Sequence, residues 1–398
     1  MPDVEFLNLL GILVIAVAAP LLAAALPKAR IPAVVLEIVL GIVVGPHGIG
    51  WLRPDLAVQV VALLGLAMLL FLAGLEVDVR AWRGGLLWII LAGYGCSLAI
   101  GYAAGLALQP LGWMDNPGLL AVTLSATSLG LVVAVLKDAG LLGTQLASVT
   151  IAAASLADFA AVVLLSILFS TDMRGTAAKL SLLALFAVLL GVVVVAAAAS
   201  ARNMRVAKVV VSLQDGTAAI RVRLAVALMV AFVVLAERVG LESILGAFLA
   251  GAAVAALDRD SSSHPHFRLK LESMGYGFLV PVFFVTSGMR LDVTGLFASP
   301  ADLLRVPVFA LILLAARGLP ALFFRRRLGR SATMATGLLL ATSLPFIVTA
   351  TQIGLLTGRL SETTSTALVC AGLLSVLAFP AVAVSVARSA ETEQAGRG

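Results

Sequence analysis

Ala126-Thr127-Ser128-Leu129 returns as Ala341-Thr342-Ser343-Leu344, 215 positions later. Both copies run on to a Gly-Leu-Leu, at Gly140 and at Gly354. Gly74-Leu75-Glu76-Val77-Asp78-Val79 is echoed at an offset of 214 by Gly288-Met289-Arg290-Leu291-Asp292-Val293. Upstream, Leu36-Glu37-Ile38-Val39-Leu40-Gly41 matches Leu241-Glu242-Ser243-Ile244-Leu245-Gly246 at an offset of 205. Short matches come easily in an apolar alphabet, but three in one order at a near-constant offset do not. Such a repeat is the sequence mark of a secondary transporter whose site lies at midplane between two halves.

The rest of the composition places that repeat in a bilayer. Of 398 residues 61% are hydrophobic and 12% charged, where a soluble chain carries about 25% charged residues. Mean hydropathy is +1.12, and the charge-poor segments are long enough to span. Cys96 and Cys370 both fall in apolar segments, which excludes a disulfide framework or a zinc motif. The pI of 9.8 does not point to nucleic acid, because the Lys and Arg residues lie in short loops between spans. The first apolar stretch, from Phe6 to Leu26, is too long for the apolar part of a cleaved signal and reads as a first span.

Hydropathy and helix breakers predict thirteen spans, at about 5–26, 31–46, 56–76, 86–109, 117–137, 144–169, 178–200, 220–238, 242–257, 271–289, 302–323, 332–356 and 364–387. With the N-terminus outside, nineteen basic residues fall in inner loops and seven in outer loops, so an outside N-terminus and a cytoplasmic C-terminus are expected. The repeat pairs span 2 with 9, 3 with 10 and 5 with 12. Each pair is seven spans apart, an odd number, so the copies have opposite orientation. The tail after Arg388 is about ten polar residues, too short for a nucleotide-binding regulator.

Asp158 carries the chemistry. It stands in Ile151-Ala152-Ala153-Ala154-Ser155-Leu156-Ala157-Asp158, with ten or more apolar residues on either side. A carboxylate at bilayer depth is costly unless paired or neutralised, so it marks a functional site by default. Burial disfavours its bare charged form, and such a group takes either a proton or a monovalent cation. Ser155, one helical turn earlier on the same face, adds a candidate cation ligand. Arg317 is the one basic residue assigned to neither set of loops, since it falls well inside a predicted span; its expected partner is Asp158 or the polar backbone near the helix breaks, unless it snorkels to the inner surface. The two Ala-Thr-Ser-Leu copies are the expected breaks in spans 5 and 12. Thr123, Ser125, Thr127, Ser128 and Gly130 crowd together in the first, and Thr342 and Ser343 precede Pro345 in the second. Opposed half-helix ends expose backbone groups of both signs, and hydroxyls re-satisfy them. Glu37, Glu76 and Glu242 lie near span ends, while His47, His264 and His266 lie in loops.

These residues resemble the monovalent cation/proton antiporters, in the branch that holds the Kef-type potassium efflux proteins and the NapA-like sodium/proton exchangers. The matching pieces run from Ile31-Pro32 with Glu37 and Gly41 to Pro46, through Phe71-Leu72-Ala73-Gly74-Leu75-Glu76, Ser125 to Ser128 and Leu245 to Gly251, to Pro281 through Asp292. The resemblance implies an all-α polytopic protein of about 13 transmembrane helices, with two crossed discontinuous helices as in the NhaA-like antiporter fold. It implies a homodimer with a scaffold bundle (1–80 and 218–300), a mobile core (84–170 and 301–388), a linker helix (177–200) and a short cytoplasmic tail (389–398). The core would move against the scaffold in an elevator-like cycle in the cytoplasmic membrane. Asp158 falls at the family's cation-binding aspartate, with Thr127 nearby as a ligand for transported Na+ or K+, and Arg317 near its intramembrane basic residue. No cofactor is implied beyond the transported ions and H+, and the bilayer is the expected environment.

Two positions depart from the family pattern. Ala157 stands where relatives place Asp, Asn or Gln, and Ser343-Leu344-Pro345-Phe346 replaces a Gly-Glu-Phe. One carboxylate beside an arginine that keeps its proton implies one H+ for one cation, hence electroneutral exchange. Three other readings remain compatible with the residues: a sodium-coupled organic-anion symporter, a potassium efflux pathway gated by a soluble regulatory subunit, and a non-transporting sensor in which Asp158 is dispensable for ion movement.

Overall fold

The computed structural model describes residues 6–25, 31–76, 85–169, 219–257 and 265–395, and the single positions 184, 188 and 191. The elements are helices, with no strand among the described residues. They are α1 (Phe6–Ala25), α2 (Ala33–Val44), α3 (Leu56–Leu75), α4 (Gly85–Leu108), α5 (Pro117–Ser125), α6 (Leu129–Asp138), α7 (Gln145–Phe169), α8 (Ile220–Val239), α9 (Ser243–Leu257), α10 (Pro265–Met274), α11 (Val280–Met289), α12 (Val293–Leu296), α13 (Pro300–Gly318), α14 (Arg325–Leu328), α15 (Arg330–Leu340), α16 (Pro345–Leu356) and α17 (Glu362–Ala395). Twelve of the thirteen expected spans overlap these elements, most to within a few residues; the seventh, at 178–200, lies outside the described residues apart from the single positions 184, 188 and 191.

Among the described residues nine helical segments are long and apolar enough to cross a bilayer, and two shorter apolar helices, Ala33–Val44 and Ser243–Ala256, join them. α8 falls outside that set because any 18-residue window of it holds at least three of Arg221, Arg223, Glu237 and Arg238. The tenth span begins earlier than hydropathy suggests. Pro265 opens α10, and Arg268 pairs with Glu272 at 2.7 Å one turn on, so a polar helix leads into the apolar one. Between α10 and α11, Gly275–Leu279 forms a π turn. Pro281 follows it, and its missing N–H leaves the Gly277 carbonyl without the usual helical donor.

The chain sorts into two compact units. One comprises Met1–Ala16, Pro54–Val77 and Val162–Thr286. Its helices α3 and α9 meet backbone to backbone: a Cβ on Gly74 would lie 2.0 Å from the Phe248 carbonyl, and one on Gly251 2.0 Å from the Phe71 carbonyl. Lipid tails remove the hydrophobic drive for helix association, so close approach at small residues carries the packing.

The other unit comprises Val17–Arg53, Asp78–Ala161 and Ser287–Gly398, and it holds both Ala-Thr-Ser-Leu copies. α5 starts at Pro117, where a missing N–H is tolerated, and Asn116 caps it by accepting from Leu119 N at 3.0 Å. α4 runs alongside, with Gly101 against the Ala121 Cα and Gly105 against the Pro117 Cα. Beyond the breaks, Val132 and Leu136 of α6, Leu146 of α7, Leu339 of α15 and Ala383 of α17 close a dry apolar cluster.

Candidate exchange site

Both repeated motifs are breaks. α5 stops at Ser125 and α6 resumes at Leu129; α15 stops at Leu340 and α16 resumes at Pro345. Each break orphans carbonyls at one helix end and amides at the next, and the two breaks satisfy one another. Ser128 N donates to the Thr342 carbonyl at 2.8 Å, and Leu344 N donates to Ser128 Oγ at 3.1 Å. Thr127 Oγ1 donates to the Leu340 carbonyl at 2.8 Å. A fourth strap comes from α17. Ser375 Oγ accepts from Ser343 N at 3.1 Å, and Gly372 permits the approach, since a Cβ there would lie 3.0 Å from the Ser343 carbonyl.

Gly130, expected at the first break, instead lies in the opening turn of α6. Ser128 is held at both its amide and its hydroxyl by the second break, so the helix can restart at the next residue. Pro345 occupies the first position of α16, where its missing N–H and fixed φ suit a helix start.

Arg317 reaches this crossing from α13. Its side chain does not snorkel: the residue is 4% exposed. Nη2 donates to Thr127 Oγ1 at 2.6 Å, while Nε and Nη1 lie 3.4 Å from the Leu340 carbonyl and from Ser97 Oγ. The guanidinium therefore binds at the breaks, one of its two expected partners: closely to the Thr127 hydroxyl of the first and at longer range to the orphaned Leu340 carbonyl of the second.

Asp158, half-buried on α7, accepts from Thr127 N at 2.8 Å through Oδ1. This amide precedes the N-terminus of α6, where backbone donors and the helix dipole favour a negative charge. Thr127 thus joins three partners: its amide meets the carboxylate, and its hydroxyl meets both Arg317 and Leu340. Ser155, one turn before Asp158, and Ser343, in the second break, bury side-chain oxygens without a hydrogen-bond partner among the described residues. Thr342 Oγ1 instead donates to the Leu338 carbonyl of its own helix at 3.1 Å. At the crossing that Thr127 links to this carboxylate, the unit therefore gathers backbone carbonyls, hydroxyl oxygens and a fixed positive charge. Those are oxygen ligands that suit a hard monovalent cation, beside a group that can hold a proton instead.

A family model described as sodium/hydrogen exchanger, transmembrane, matches residues 13–385. The chain belongs to the sodium/hydrogen exchanger family. It is 30% identical over 392 residues to the putative Na(+)/H(+) antiporter YjbQ of Bacillus subtilis, a match that covers 94% of this chain and 62% of that longer protein. It is 28% identical over 361 residues to the Na(+)/H(+)-K(+) antiporter GerN of Bacillus cereus, covering 88% of each. The solved structure of the sodium proton antiporter MjNhaP1 from Methanocaldococcus jannaschii superposes with a TM-score of 0.59 at 16% identity, over 96% of this chain and 99% of that one. At that identity the likeness speaks to fold alone, and it is the antiporter fold that the resemblance implied.

Three participants in this candidate site were not singled out from sequence: Ser97, Ser375 and the Leu340 carbonyl. Ser97 carried a readable signal, since Gly93, Ser97, Gly101 and Gly105 recur every four residues on one face of α4. Ser375 and Leu340 carried none, because a lone hydroxyl or a main-chain oxygen becomes distinctive only once the breaks face each other.

Proposed function

We propose that this chain exchanges a monovalent cation, Na+ or K+, for H+ across the cytoplasmic membrane, with Asp158 taking either ion in turn. The observation that carries the reading is the Asp158 carboxylate on the amide of an unwound helix, at the crossing of two breaks. Family membership supports ion/proton exchange as the reaction class. The names of the relatives support Na+, and GerN's adds K+. Thr127, Ser128, Thr342, Ser343 and Ser155 supply the oxygens that would share the cation with Asp158.

Arg317 keeps its proton throughout the cycle, so the site exchanges one H+ for one cation and moves no net charge. The unit that holds both breaks acts as the transporting core, and the homodimer, the elevator-like motion and the outside N-terminus complete the reading. Pro345 and the Ala126–Ser128 stretch give the core its two half-helix ends at midplane.

The test is dissipation of a pH gradient in proteoliposomes on adding Na+ and then K+, for wild type and Asp158→Asn. Exchange in wild type that falls to background in the variant supports the proposal, and flux driven by membrane potential at symmetric pH contradicts its electroneutral form. Sodium flux that requires an organic anion would point to symport instead.

A further inference from the structure

α4 changes character at the level of the first break. Its face toward α5 is glycine at positions 105 and 101, where backbones touch, and becomes Ser97 one turn earlier in the chain. Tyr94, on the adjoining part of that face, places its hydroxyl 2.9 Å from Ser125 Oγ. Ser125 Oγ donates to the Val122 carbonyl at 2.9 Å, so its only proton is committed and the tyrosine is the donor. Ser125 is the last helical residue of α5, two positions before Thr127. α4 therefore grips the unwound stretch from one side through Tyr94 and Arg317 from the other through Ser97.

Between these two grips lies a cavity of about 10 Å³ lined by Tyr94, Ser97, Ala153, Arg317, Pro320 and Leu340, among others. That is about the least that accommodates one water. The direct contacts there are long: Arg317 lies 3.4 Å from both Ser97 Oγ and the Leu340 carbonyl. A water in this space has donors and acceptors on several sides, and bridged polar contacts of this kind hold geometry nearly as well as direct ones.

We propose that Tyr94 and Ser97 are positioning residues of the exchange site, acting through Ser125, Arg317 and one water bound in this cavity. Neither side chain touches the transported ion. Together they hold Thr127, the residue on which Arg317 and Asp158 converge, and so set how well the site fits its cation. The inference rests on the assignment of exchange to Asp158.

The experiment is cation-dependent exchange in proteoliposomes for Tyr94→Phe, Ser97→Ala, Ser97→Thr and the double variant Tyr94→Phe/Ser125→Ala. Thermal unfolding of each purified protein is measured alongside. Loss of one hydroxyl is expected to raise the apparent KM for the cation about three- to tenfold, with the maximal rate within about twofold and the unfolding midpoint unchanged. Ser97→Thr keeps the hydroxyl and is expected to restore the wild-type KM. The double variant is expected to add to Tyr94→Phe no more than the loss of the local Ser125–Val122 bond, because both changes break the same contact between the helices. Wild-type KM in Tyr94→Phe and Ser97→Ala, or losses that merely follow a lowered unfolding midpoint, would overturn the inference alone. Exchange that survives Asp158→Asn in the same assay would overturn the site assignment, and the inference with it.

Discussion

The Thr127 amide donates to the Asp158 carboxylate at 2.8 Å, while the hydroxyl of the same threonine accepts from Arg317 at 2.6 Å. The acid and the base thus meet on one residue of an unwound helix. Anything that moves Thr127 alters the surroundings of both charges together.

Replacing Thr127 with Val keeps the shape and the amide but deletes the hydroxyl. The Leu340 carbonyl loses its 2.8 Å donor, and the guanidinium loses its shortest bond. Hydrogen bonds to charged groups contribute about 1.5–3 kcal/mol, so Thr127→Val should lower the unfolding midpoint in detergent and reduce exchange at least about tenfold. Thr127→Ser should recover most of both. A Val variant as stable and active as wild type would mean the hydroxyl is incidental.

Arg317 spreads three nitrogens over Thr127, Leu340 and Ser97. Lysine supplies the charge at one point and cannot reproduce the fork. Arg317→Lys is expected to keep only a small part of the exchange activity and to unfold earlier than wild type, with Arg317→Ala lower still. Full activity with lysine would show that charge alone matters there.

Gly101 approaches α5 so closely that a Cβ would stand 2.8 Å from the Ala121 Cα, whereas Gly95 on the same helix has open space. Gly101→Val should therefore destabilise by about 1–3 kcal/mol through overpacking, and Gly95→Val should leave the unfolding midpoint near wild type. Equal behaviour of the two would contradict the tight α4–α5 contact.

Asp292 lies outside the spans, where it caps α12 by accepting from Gly295 N at 3.1 Å. The Thr294 hydroxyl, and after it the Gly295 amide and nearby His47, hold its carboxyl below the ordinary carboxylate range. A depressed folded value means stability that is complete above the unfolded value of about 3.9 and lost as pH falls through the lower folded one. The cap is worth about 1 kcal/mol. The gap in unfolding midpoint between wild type and Asp292→Ala should accordingly be widest near neutrality and shrink below about pH 4. A gap independent of pH would contradict the charged cap.

Much of this architecture was legible because lipid leaves few alternatives. Spans must be helical and apolar, so Leu56–Leu75 or Gln145–Phe169 could be read almost to the residue. The breaks were legible because Pro345 and the clustered hydroxyls repeat. Their ends were less so: whether Gly130 falls in the break or in α6 depends on Thr342 and Leu344 claiming Ser128 from 214 to 216 positions away. Arg317 announced itself by its charge, but its choice of Thr127 over other partners is a matter of tertiary geometry. Tyr94 and Ser97 passed as ordinary interior residues for the same reason.

The central claim, one carboxylate shared by proton and cation, is tested most directly by counting protons. Purified protein in weakly buffered detergent is titrated with Na+, then K+, while a pH indicator records release. Because the carboxylate must give up its proton to bind a cation, about one proton should appear per cation bound, and none in Asp158→Asn. Cation binding without proton release, or undiminished release from the variant, would contradict the account.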